Sequence, residues 1–432
     1  MKIAILGGGA SGFALAGLLS DQARDLGLEI EIFEQGPSPL RKVRATGNGR
    51  CNFTNRNMGP EFYTGGSSSF VKPILEKFSY SDALKFFEDL GMPALTLESG
   101  MTYPRTLSAE TVASLLYSKA LHGGVKISEA RKVIALHRSG EGFELILETP
   151  GKGPISIEKD LVVLSTGGAY GIGKKEWSNG YSLVKDFGHG LSPIHPGIIG
   201  LKVQERDLCQ ILSGLKMEAE FTLVVEEKEE KKGKIFSGDL LFTDYGLSGM
   251  GIFRLSNQAL DAFWEKDKVF LKINFFPDLS QEALSQLLFR QFQNHPWTAE
   301  EAVRGILSPR AAGPLLKLSS IDPGAPTKRI SMESIEAFSA LLHGLVFHPV
   351  GVQKKDHGQV TCGGISTNLV DSKTMMSKVC PGLFFTGEVL DVQGICGGYN
   401  LHWAWASAFA AYEGILSWVK QRKTDAFLAK ML

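Results

Sequence analysis

The chain has 432 residues, 43% of them hydrophobic, enough for a large core and for two or three domains. Lysine plus arginine (46) balance aspartate plus glutamate (46), which argues against a broad nucleic-acid-binding face. No uncharged apolar run reaches the roughly 18 residues of a membrane span, and the run Ile3–Leu6 is too short for a signal peptide, so a cytoplasmic protein without membrane contact is expected.

The run Ile3–Leu6 leads into GGGASG, and a helical pattern follows from Phe13 to about Arg24. A second strand, Glu29–Phe33, ends in Glu34. This is a βαβ unit with the dinucleotide fingerprint G-x-G-x-x-G at Gly7, Gly9 and Gly12. Gly7 permits the tight turn, Gly9 lets a pyrophosphate approach the backbone, and Gly12 lets the helix pack on the strand. The helix start turns its N–H groups and dipole toward the phosphates. Glu34, 22 residues past Gly12, is placed to accept hydrogen bonds from both ribose hydroxyls.

Gly36 to Pro39 break regular structure. A basic cluster, Arg41, Lys42 and Arg44, then runs into Gly47, Asn48, Gly49, Arg50, Cys51 and Asn52. Such a loop either lays its backbone against an anionic or planar ligand or is a solvated basic loop. Residues 72–91 and 108–122 read as helices, the second with Ser108 as N-cap. Strands are expected at 125–127, 131–137 and 143–148. Residues 161–165 form an apolar strand buried on both faces, ending in Thr166, Gly167 and Gly168.

The texture changes near 192. Strands at 195–203, 216–225 and 269–275, a solvated hairpin tip at 226–234 and a glycine-punctuated loop at 238–251 precede helices at 252–263, 279–307 and 330–345. Near His348 the α/β texture returns: a strand at 359–365, a buried strand at 383–386 running into Gly387 and Glu388, and Gly397-Gly398 before a long apolar helix. The five cysteines (Cys51, Cys209, Cys362, Cys380 and Cys396) form no C-x-x-C, and no histidine cluster completes a zinc pattern, so neither a dithiol relay nor a metal is expected.

No second full fingerprint exists. Glycine loops recur at 7–12, 47–52, 166–168, 387–388 and 397–398, and such a distributed set fits one long ligand, FAD. The first loop would take the pyrophosphate. The helix start after Gly398 would face the flavin ring where negative charge builds up on reduction.

The stretches RKVRATGNGRCNFTN (41–55), LLFTDYGLSG (240–249) and PGLFFTGEVLDVQGICGGYNLHWAWASA (381–408) resemble the BaiN/YhiN-like, aminoacetone-oxidase-like family of bacterial FAD-binding flavoproteins, along nearly the whole chain. The resemblance implies an α/β fold: a discontinuous Rossmann-like FAD domain (1–191 and 350–432) with an inserted domain at 192–349, a β-barrel part at 192–277 and a helical part at 278–349. It assigns FAD contacts to Gly7, Gly9, Gly12, Glu34, Gly49, Arg50, Cys51, Asn52, Thr166, Gly167, Gly387, Glu388, Asp391, Gly398, Tyr399, Asn400 and Leu401. Ala10, Ser11, Gln35, Lys42, Val133 and Gly168 complete the candidate cofactor set. Thr46 stands where the family has serine, and Cys396 where many members have threonine.

The expected activity is FAD-dependent hydride transfer to or from a small or planar organic substrate, with NAD(P)H as a transient reductant. Two alternatives belong to other classes: a flavin-containing RNA-modifying protein, which the neutral charge disfavours, and a non-catalytic redox-sensing flavoprotein. Catalytic candidates are Cys51, Tyr103, Tyr245 and His348, with Arg105 in the same turn as Tyr103. Cys51 reads more simply as a small buried residue packed on the ring.

Overall fold

The computed structural model describes residues 1–149, 151–171, 180–227, 230–264, 268–294, 296–354 and 357–431. The chain divides into two compact units, 1–197 with 356–432, and 198–355.

The first unit is built on five short, mainly apolar strands. They form a parallel sheet in the order Leu383–Phe385, Leu161–Leu164, Lys2–Leu6, Glu29–Phe33 and Lys126–Ser128. Lys2–Leu6 lies at the centre, and Leu161–Leu164 is buried at every position, as its apolar composition requires. Helices Ala10–Ser20 and Ala109–His122 and the long C-terminal helix Tyr399–Met431 accompany the sheet. Two antiparallel sheets flank it: Lys132–Ser139, Gly142–Thr149 and Lys152–Lys159 form one, and Leu191–Gly197 pairs with Val360–Ile365 in the other. Glu31, a carboxylate within the parallel sheet, is buried but accepts bonds from Lys126 (2.8 Å), Lys159 (2.7 Å) and Ser128 (2.7 Å). Burial pushes its carboxyl up, but these three bonds outweigh burial and hold it below the usual range.

The second unit has its own core, with Phe221, Phe242, Leu271, Phe292, Phe338 and Phe347 fully buried. Seven antiparallel strands run in the order Leu345–Phe347, Lys268–Asn274, Lys216–Glu227, Glu230–Thr243, Gly246–Ser248, Leu201–Val203 and Pro349–Val352. Helices Met250–Trp264, Gln281–Asn294, Ala299–Val303, Pro309–Leu318 and Met332–Gly344 complete it. The two residues at the tip of the charged hairpin, 228–229, lie outside the described residues.

Several elements differ from the sequence reading for identifiable reasons. Residues 72–91 are two helices, Ser68–Lys77 and Tyr80–Asp89, because Ser79 and Asp82 form a capping box that starts a new helix. Residues 238–251 are mostly strand. The glycines there serve close strand approach: side chains at Gly246 and Gly249 would strike the carbonyls of Leu201 and Asp239. The strand expected at 195–203 is interrupted at Ile198, which takes a left-handed φ of 49°. The first helix spans Ala10–Ser20, ahead of a separate turn at Ala23–Leu26, and Ser108 makes no side-chain cap. Among the described residues no helix is long and apolar enough to cross a membrane.

Candidate active site

The fingerprint glycines divide by what surrounds them. A side chain on Gly7 (φ 113°) would strike the Ser165 carbonyl, and one on Gly12 the Gly7 carbonyl, so both are needed for strand–helix packing. A Cβ on Gly9 meets nothing within 4 Å, and no side chain caps the helix there. The open face therefore lies at the helix N-terminus, beside Ala10 and Ser11, where an anion is favoured. The Glu34 carboxylate accepts from the N–H groups of Gly8 (3.0 Å) and Gly36 (2.6 Å), which fixes it beside this loop. Gln35 is exposed next to it. The Arg131 N–H donates to the Glu34 carbonyl (2.8 Å), bringing the start of the strand that carries buried Val133 to the same edge.

A second meeting point forms around Glu388. Its carboxylate accepts from Lys42 Nζ (2.5 Å), the Thr361 N–H (2.8 Å) and the Gly168 N–H (3.4 Å), while Lys42 also donates to the Tyr170 carbonyl (3.3 Å). Glu388 thus braces three segments together: the basic stretch, which is a short helix at Arg41–Ala45 and not the loop read from the sequence, the T-G-G loop and the Thr361 strand. Gly387 (φ 72°) abuts the first helix: a Cβ there would lie 2.6 Å from Ser11 Oγ. Gly167 (φ 68°) is open, with only Glu388 Oε2 near an added Cβ, at 3.8 Å. Thr166 Oγ1 is buried without a hydrogen-bond partner among the described residues. Asp391 accepts from Gln393 Nε2 (2.9 Å).

The third group joins residues about 350 positions apart. Gly47, Asn48, Gly49 and Cys51 all have positive φ (57°, 53°, 80° and 58°), so the loop curls tightly and exposes its backbone. Asn52 Oδ1 accepts the Thr102 N–H (3.1 Å). A Cβ on Gly398 (φ 100°) would lie 2.8 Å from Asn52 Oδ1, so the loop and the start of the C-terminal helix touch there. Asn55 Nδ2 donates to the Gly397 carbonyl (2.8 Å). Asn400 clamps Gly394 with two bonds, accepting its N–H (2.9 Å) and donating to its carbonyl (2.7 Å). Tyr399 donates to the Asn57 carbonyl (3.0 Å), and Leu401 packs half-buried on the core.

Sequence reasoning missed the next turns of that helix. Trp403 Nε1 donates to the Gly387 carbonyl (3.2 Å) and Trp405 Nε1 to the Phe53 carbonyl (2.9 Å), so one helix ties the first-helix side of the site to the Gly47–Asn52 side. His402, fully buried, bridges Thr54 Oγ1 (2.9 Å) and the Phe78 carbonyl (3.1 Å). Burial drops its imidazole to about 4, which keeps it neutral. The alternating tryptophans of HWAWASA carry the only sequence signal, and they read as ordinary core.

The catalytic candidates separate clearly. Cys51 is fully buried, and burial, against a weaker opposing bond to Thr46, pushes its thiol up to about 12, which disfavours a thiolate there. Tyr103 is buried beside Gly47, with the Arg50 guanidinium 5.6 Å from its ring centroid. Tyr245 and His348 belong to the second unit. Tyr245 packs on Gly200, and His348 is held by Glu205 through Nδ1 (2.6 Å) and its backbone N–H (2.9 Å). Among the described residues no group of histidine, cysteine, aspartate or glutamate side chains is arranged to hold a metal.

FAD fits these residues. An open helix N-terminus with glycine at its cap, a fixed acid at the end of the second strand, open faces at Gly49 and Gly167, and an orphaned buried hydroxyl on Thr166 all line one unit. Fold and site define the class, an FAD-dependent oxidoreductase on a Rossmann domain. The model of the HI0933-like protein Rossmann domain matches residues 1–414, and the chain belongs to that family. A 3-dehydro-bile acid delta(4,6)-reductase from Clostridium scindens is 31% identical over 411 residues, covering 95% of this chain and 98% of the relative. A ribosomal RNA dihydrouridine synthase from Escherichia coli is 28% identical over 415 residues (96% and 97%), and one from Haemophilus influenzae is 28% identical over 410 residues (94% and 96%).

Proposed function

We propose that the protein reduces a carbon–carbon double bond conjugated to a carbonyl in a small, planar, mainly apolar substrate, with a nicotinamide as the source of electrons. The observation that carries this reading is the junction of the Gly47–Asn52 loop with the N-terminus of helix Tyr399–Met431, reached through Gly398. Backbone N–H groups, the helix dipole and the Arg50 guanidinium there favour negative charge, which develops when a conjugated carbonyl accepts hydride. When bound, FAD supplies hydride. The protein's residues hold it, exclude water and stabilise that charge.

The relatives support the reaction class. A delta(4,6)-reduction of a 3-dehydro bile acid and the formation of dihydrouridine both saturate a double bond conjugated to a carbonyl. Charge favours the small substrate: the stretch 198–355 carries 19 lysines and arginines against 20 aspartates and glutamates, a balance with no net attraction for RNA phosphates. A uridine of ribosomal RNA is the second reading, favoured by the two relatives of that name.

The test is to reconstitute the protein with FAD, reduce it anaerobically with NADH and NADPH separately, and then add either a 3-oxo-4-ene steroid or a ribosomal RNA transcript. Reoxidation by the steroid with appearance of the saturated ketone is expected. Dihydrouridine formation without steroid reduction moves the assignment to RNA, and failure to take up FAD ends the reading.

A further inference from the structure

We propose that Tyr103 is the acid that protonates the α-carbon of the substrate, and that Arg50 is the positioning cation that holds charge beside it. This rests on the conjugated-alkene reduction just proposed. Tyr103 lies on strand Met101–Pro104, which pairs with Thr54–Asn55 on one side and Ala94–Thr96 on the other. The pairing Thr54↔Thr102, together with the Phe53 N–H donating to the Thr102 carbonyl (2.9 Å), places Tyr103 alongside the Gly47–Phe53 loop. A Cβ on Gly47 would lie 3.7 Å from its Cε1. The same loop meets the start of the C-terminal helix at Gly398, so Tyr103 borders the junction where the reacting carbonyl is stabilised.

Its phenolic proton is poised to be given away. Tyr103 is 7% exposed, yet among the described residues its hydroxyl donates only to the Met101 thioether, at 3.7 Å, a poor acceptor that a substrate carbon or oxygen displaces at little cost. Arg50 stands over the ring at 5.6 Å, donates weakly to the Gly47 carbonyl (3.4 Å) and pairs with no carboxylate among the described residues. Among the described residues, the charged and titratable groups that act on Tyr103 are Arg50 and Cys396. Burial pushes the phenol up, the Arg50 charge pulls it down, and a thiolate at Cys396 would push it up again. In the step, hydride adds to the β-carbon and the π electrons shift toward the carbonyl. The α-carbon–hydrogen bond then forms as the Tyr103 O–H bond breaks, and water returns the proton to the phenolate. The two electrons are those the nicotinamide gives up.

The experiment uses the full chain with FAD and a 3-oxo-4-ene steroid. Tyr103→Phe is expected to cut steroid reduction about 100-fold or more, while FAD content, flavin reduction by NAD(P)H and steroid binding, read from the flavin spectrum, stay within about threefold. A second readout needs no turnover. With 3-fluorotyrosine at position 103, the fluorine resonance reports ionisation of the phenol, and Arg50→Met is expected to move that titration upward by roughly one pH unit. Equal steroid reduction by wild type and Tyr103→Phe overturns the donor role, and an unmoved titration overturns the role of Arg50. A wild-type protein that takes electrons from NAD(P)H yet leaves the steroid untouched overturns the reaction class itself, an outcome distinct from both.

Discussion

The two ends of the candidate cofactor site are built by different means. At the fingerprint end, Gly7, Gly9, Gly12 and Glu34 lie within 28 residues, and two turns of backbone settle the geometry. At the other end, Asn52, Asn55 and Phe53 meet Gly397, Gly398 and Trp405 across some 350 residues. The first depends on what a glycine lacks. The second depends on side-chain amides, indoles and an imidazole that must each find one partner. A site of this kind needs local sequence to grip phosphates and long-range tertiary structure to shape the reacting end.

Substitutions sharpen this contrast. Gly12→Val should have the largest effect, because any Cβ there strikes the Gly7 carbonyl; loss of folded, FAD-binding protein is expected by circular dichroism and absorbance. His402 gives a pH-dependent effect at the other end. Its folded pKa of about 4 lies below the unfolded value near 6.5, so the unfolded chain binds the proton better. Stability is full above about pH 6.5 and falls by about 3 kcal/mol as pH drops toward 4. Urea denaturation across that range should show the slope, and His402→Asn should flatten it.

Asn400→Leu removes both bonds to Gly394 and leaves its N–H and carbonyl unpaired. A loss of about 2 kcal/mol in denaturation, with faster FAD release, is expected. Gly9→Ala should separate packing from binding: with no atom within 4 Å of the new Cβ, the apoprotein should melt within about 2 °C of wild type, while FAD binds at least about tenfold more weakly. Equal FAD affinity would break the assignment of that face to the pyrophosphate. The smallest effect is expected for Cys51→Ala, with FAD retained and turnover changed less than about tenfold, since the buried thiol stays protonated.

What the sequence disclosed follows the same division. At the fingerprint end the βαβ unit, the packing roles of Gly7 and Gly12 and the place of Glu34 beside the loop were legible, because they depend on fixed spacing along one chain segment. The parallel strands were legible because full burial leaves unbroken apolar runs such as LVVL. The capping box of Ser79 and Asp82 was present in the letters, but the hydrophobic period running through both helices concealed it. The glycines at 246 and 249 suggested a loop, because a residue excluded by a neighbouring strand looks the same as one required by a turn. Trp403 and Trp405 were hidden for a deeper reason: an indole N–H is spoken for only once a carbonyl from a distant segment arrives.

The helix that holds Gly387 with one tryptophan and Phe53 with another also sets an order of events during synthesis. Segments made near the beginning of translation wait for residues 399–405 before the cofactor cleft can close. A ribosome-bound nascent chain stopped short of that helix lacks both indole bonds, so it is expected to retain FAD less well than the full chain, a difference that flavin fluorescence of stalled chains would read.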